Sequence, residues 1–183
     1  MQCSESLQNW RARNEALLTR LIRATRDLGD EALNQRPDLR TWSPAQVVEH
    51  MVLAHRPYLQ TIRSGLERAG RGAGDRQVRY SFFGKLLIKA VGPDSNTPAP
   101  RALHPGPSPV WQEVFAEWQR QQGQLLSLLD QAADADLSGV FVRNPFIRVI
   151  RQNIADCLEI VTAHTERHVG QIEERILRSS VAP

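Results

Sequence analysis

Near its carboxyl end the chain reads EIVTAHTERHVGQIEERIL, where apolar residues recur at steps of three and four and predict an amphipathic helix. The inward stripe runs Ile154, Cys157, Val161, His164, His168 and Ile172, so two imidazoles stand where aliphatic side chains belong. A second helix, opening at TWSPAQVVEHM, carries a stripe of Val47, His50, Met51, Ala54 and Tyr58, which turns His50 inward as well. Burying one imidazole without a partner costs roughly 1 to 3 kcal/mol, so three in one core would need several separate compensations. One shared metal ion satisfies all three together. His164 and His168, at i and i+4, project from one helix face about 5 to 6 Å apart, which suits adjacent positions of one coordination sphere. His50 would complete the set from a facing helix, and three neutral imidazoles would leave a position open for water or substrate.

Neighbouring residues add less. Thr165 stands where a zincin has its glutamate, so the H-x-x-x-H spacing does not predict a peptidase of that kind, and Glu49 and Glu166 are expected to face solvent. His55, five residues beyond His50, turns away from the inward stripe and is not expected to be a ligand. Cys157 lies two turns before His164 and reads as a buried, inert thiol. Gln171, one turn past His168, either packs or hydrogen-bonds to the ligands from outside. His104, Arg79, Tyr80 and Arg101 share a long loop that could border the site, although ordinary surface loop positions account for them more simply. Trp10, Trp42, Trp111 and Trp118 all fall at core or staple positions.

Four long helices would have to position these groups. The first is predicted over about residues 4 to 28, capped by Ser4 or Ser6. The second begins at Ser43, where Pro44 and Gln46 complete a capping box, and Pro57 should kink it or end it near His55. The third starts with Ser108 as cap and Pro109 in the first position, and the fourth carries His164 and His168. Between the second and third, Gly70 to Pro107 is too rich in Gly and Pro for a continuous helix or a central strand. Only YSFFGKLLIKAV within it reads as ordered, as a short helix, and the segment is expected to lie outside the core. An all-α, up-and-down four-helix bundle spanning residues 1–183 as one domain follows, with a long loop between helices 2 and 3.

Composition narrows the function. A chain of 183 residues that is 41% hydrophobic can bury roughly two thirds of its unfolded surface in one core. A net charge of +3 is too small for a polybasic patch and argues against nucleic-acid binding. Two distant cysteines, Cys3 and Cys157, give neither a disulfide framework nor a cysteine zinc site, and a reducing cytoplasmic setting fits them. The opening MQCSESLQNW has no basic region followed by an apolar one, and no run approaches the roughly 18 apolar residues of a membrane span.

The pair WSPAQVVEH and HTERHVGQ, in that order and on helices, resembles the DinB-like superfamily of four-helix metalloproteins, which includes bacillithiol-transferase-like and mycothiol-dependent enzymes. The resemblance runs nearly end to end. It implies that His50, His164 and His168 bind one divalent metal, zinc or nickel first, with iron and manganese open to the same donors. It further implies transfer of a low-molecular-weight thiol to a small electrophile, with metal-dependent hydrolysis as the close competitor. A non-catalytic metal-binding helical module is a third possibility, and a homodimer built by helix packing is the assembly related folds often adopt. DNA binding is suggested only by the superfamily's association with damage-inducible genes, against the modest charge.

Overall fold

The computed structural model describes residues 1–36, 38, 40–70 and 76–181, the side chains of 179–181 excepted. Helix α1 (Cys3–Thr25) is followed by the short α2 (Asp30–Asn34), then α3 (Pro44–Arg68), α4 (Phe82–Val91), a 3-10 turn at Arg101–Leu103, and α5 (Trp111–Gln131). Strands β1 (Phe141–Arg143) and β2 (Arg151–Asn153) form an antiparallel hairpin that leads into α6 (Ile154–Val181).

The four long helices α1, α3, α5 and α6 make the bundle. α3 packs on α5 and α6, and α1 packs on the same two, so α1 and α3 are diagonal partners, as are α5 and α6. This corrects the up-and-down expectation, in which consecutive helices would be neighbours. Simple up-and-down bundles use short loops, whereas here residues 26–43, with α2, and 132–153, with the hairpin, are long enough to carry the chain across the bundle. Trp10, Leu125, Leu128, Ile154 and Leu158 lie in one part of the core, and Leu17, Leu21, Met51, Trp118 and Ile172 in another.

Helix boundaries follow local chemistry. Ser43 Oγ accepts from Gln46 N at 3.2 Å and Gln46 Oε1 accepts from Ser43 N at 3.0 Å, the reciprocal box expected at the start of α3. Pro57 does not end that helix, which continues to Arg68. The single backbone bond that proline removes is outweighed by packing of the surrounding turns, since Tyr58, Leu59 and Ile62 are all buried. α1 ends at Thr25, short of the expected residue 28, and α5 starts at Trp111 with Val110 as its cap instead of using Ser108 and Pro109. At the head of α6, Asn153 and Asp156 cap each other, each side-chain oxygen accepting from the other's backbone N–H at 2.8 Å. Asp156 also accepts from Ser81 N at 2.9 Å and Ser81 Oγ at 2.6 Å, which docks the start of α4 onto α6.

The Gly70–Pro107 segment is therefore more than an outer loop. Residues 71–75 lie outside the described residues, but α4 packs along α6 with Leu87, Ile88 and Val91 against the core, and the 3-10 turn buries Leu103. Gly84 makes this approach possible, because a Cβ there would sit 2.0 Å from the Asp156 carboxyl carbon. Among the described residues no helix is long and apolar enough to cross a membrane.

Candidate metal centre

His50 comes from the middle of α3 and His164 and His168 from α6, two helices in direct contact. All three are buried. Their Nε2 atoms converge: His164 Nε2 lies 3.2 Å from His50 Nε2 and 3.1 Å from His168 Nε2. One ligand atom from each can be chosen so that all lie within 4.8 Å of one another.

The outer nitrogens decide which form each ring takes. His50 Nδ1 lies 2.8 Å from the Leu103 carbonyl oxygen, which only accepts, so the proton sits on Nδ1 and the Nε2 lone pair faces inward. His168 Nδ1 donates in the same way to Gln171 Oε1 at 2.9 Å. His164 Nδ1 meets His55 Nε2 at 3.0 Å, so with its proton on Nδ1 it donates to His55 and turns its own Nε2 lone pair inward. A proton on His164 Nε2 could bridge to one neighbour at a time, leaving the other contact as two facing lone pairs. A cation among the three nitrogens removes that conflict, so the donor set fits a divalent metal held by three neutral imidazoles.

Burial keeps these rings neutral. Desolvation is the largest cause lowering His50, and it holds His164 and His168 well below the ordinary histidine value, with neighbouring imidazoles adding to the effect. His55 is brought down to about 3, first by burial and then by the charge His50 would carry.

His55 is the residue that helical periodicity misplaces. It is buried against His164, and its own Nδ1 is buried without a hydrogen-bond partner among the described residues. It orients His164 from behind. Gln171 plays the corresponding part for His168, and the Leu103 carbonyl for His50. Two acidic residues also depart from expectation. Glu166 is gripped by Arg13, with Nε and Nη2 each at 2.8 Å, and Glu49 Oε2 accepts from Gly106 N at 2.7 Å, so neither simply faces solvent. Cys157 is fully buried and takes a contact from Gln152 Nε2 at 3.1 Å, and burial pushes its thiol up, away from the reactive thiolate.

His50, His55, His164 and His168 are in the lining of a cleft of about 520 Å³. Its walls come from α3, α6, the α4 face with Leu87 and Val91, residues 96–100, and the hairpin turn with Asn144, Phe146 and Ile147. None of the described residues that line it is acidic. Of the loop residues that could have bordered it, His104 is exposed and turned to Ala99 O at 3.1 Å, while Tyr80 bonds Glu159 on another face. Arg79 and Arg101 do not line the cleft.

Fold and site together define a four-helix bundle in which three buried histidines from facing helices converge and could hold a metal ion. The DinB superfamily model matches residues 13–172, and the chain belongs to that superfamily. No curated protein matches it. Among solved structures it is similar to YfiT from Bacillus subtilis, at 16% identity and a TM-score of 0.61, covering 96% of this chain and 89% of that one. That protein is described as "a probable metal-dependent hydrolase with an unusual four-helix bundle topology".

Proposed function

We propose that the chain binds one divalent metal, zinc or nickel, through His50, His164 and His168, and acts as an enzyme on a small molecule. The observation that carries this is the convergence of three imidazole Nε2 atoms in the lining of a substrate-sized cleft. A metal held there supplies Lewis acidity, which lowers the pKa of a nucleophile brought to it. The protein's own part is to fix the rings. Leu103 O and Gln171 Oε1 hold His50 and His168 with their lone pairs inward, and His55 does the same for His164. The apolar lining of Trp42, Leu103 and Phe146 limits water at the reacting end.

Transfer of a low-molecular-weight thiol to an electrophile is the preferred reaction. With no acidic side chain among the described residues of the cleft to serve as general base, a thiol, with a pKa near about 8.5, needs less activation than water at about 15.7. Hydrolysis is the second reading, favoured by the description of YfiT. We place the protein in the cytoplasm, with a homodimer as its assembly. The test uses tag-free protein loaded with zinc or nickel and assayed with a small thiol plus an activated aryl chloride, and separately with small esters and amides. Metal-dependent thioether formation supports the first reading and metal-dependent hydrolysis the second. Protein that retains no metal after loading sinks both.

A further inference from the structure

The cleft's charge is one-sided. Arg40, Arg167 and Arg175 line it, and among the described residues no acidic one does. Arg175 is partly answered by Asp38 and Glu174, but Arg167 is not: burial lowers it and no carboxylate offsets the effect. Its Nε is buried without a hydrogen-bond partner among the described residues, and Nη2 reaches only the Thr97 carbonyl, at 3.4 Å. Arg167 is also close enough to His50, His164 and His168 that its charge acts on all three rings. A divalent ion on three neutral imidazoles near this guanidinium would concentrate about three positive charges in a cleft that has no acidic lining among the described residues. An anion lying between the two would relieve both. The same cleft also has apolar walls, with Leu87, Val91, Phe146 and Ile147 in its lining.

We propose that the cleft takes a small organic carboxylate with an apolar body, its carboxylate held by Arg167 with Arg40 at the rim and its body against the α4 and hairpin walls. The position of the reacting end rests on the metal reading above, whereas the need of Arg167 for an anion does not. A guanidinium offers a carboxylate two parallel N–H donors, which explains an arginine rather than a lysine at this point.

The test is calorimetric binding of benzoate, its neutral counterpart benzamide, and inorganic phosphate to the full chain, zinc-loaded and metal-free. Benzoate should bind about tenfold or more tightly than benzamide and than phosphate. Arg167→Gln should remove about that factor for benzoate while leaving benzamide binding and zinc stoichiometry unchanged, and Arg167→Lys should restore part of it. Should Arg167→Gln fail to fold, Arg40→Gln at an exposed position should still weaken benzoate, and added salt should shrink that difference. Equal binding of benzoate and benzamide, or benzoate binding indifferent to both arginine changes, overturns the proposal. Phosphate binding as tightly as benzoate overturns the carboxylate assignment. Zinc bound without benzoate discrimination defeats this inference alone, whereas arginine-dependent benzoate binding in a protein that holds no zinc defeats only the metal reading.

Discussion

Replacing His55 with leucine separates a ligand from a residue that orients one. The change roughly conserves buried volume and deletes the unpartnered Nδ1, while leaving His164 Nδ1–H without its acceptor at 3.0 Å. Each buried polar atom left unpaired costs about 1 to 3 kcal/mol, so gain and loss nearly cancel and the metal-free protein should keep its stability to within about 1 kcal/mol. Metal affinity should not escape. Loss of a group that orients a metal-binding imidazole costs about 10- to 100-fold, or roughly 1.4 to 2.8 kcal/mol. Unfolding entropy of about 2.1 cal/mol/K per residue over 183 residues gives about 0.4 kcal/mol/K, so the metal-induced rise in Tm should shrink by about 4 to 7 °C. The assay is melting with and without saturating zinc, paired with zinc titration against a competing chelator. Wild-type zinc affinity in His55→Leu would refute the orienting role. Complete loss of zinc, equal to that of His164→Ala, would instead make His55 a ligand.

Further outcomes follow from the same geometry. His50→Ala, His164→Ala and His168→Ala should each lose the bound metal by elemental analysis, and a chelator that lowers the wild-type Tm should leave theirs unmoved. At free metal 100-fold above Kd the wild-type effect is about 2.7 kcal/mol. The metal-free protein should weaken in acid. His50, His55, His164 and His168 have folded pKa values below the ordinary 6.5, so the unfolded chain binds more protons below that pH and stability falls with pH. The contribution is complete above about pH 6.5 and is lost at up to about 1.4 kcal/mol per unit per histidine, down to about pH 3 for His55. Melting between pH 7.5 and 5 checks it, and a flat profile would mean that the imidazoles are not buried in neutral form. Gly84→Ala should destabilise by about 1 to 3 kcal/mol in denaturant unfolding, because its methyl group would overlap the Asp156 carboxylate. An unchanged midpoint would show that α4 is not held against α6 as described.

Periodicity and capping chemistry are properties of a single helix, and the sequence determined what depends on them. The Ser43–Gln46 box, the inward placement of His50, His164 and His168, and the helical character of Phe82–Val91 could all be read from residue spacing. Tertiary structure decided whatever depends on how much of a helix is covered. His55 lies about 140° around α3 from His50 at 100° per residue, which is solvent on a helix covered on one side. α3 is instead covered by α5, α6, α2, β1 and the 3-10 turn, so His55 is buried as well. The diagonal placement of α1 against α3 and of α5 against α6, the Leu103 carbonyl behind His50, and the cleft around Arg167 join residues far apart in the chain. No local pattern encodes such contacts, because they exist only once long connections have carried the helices across one another.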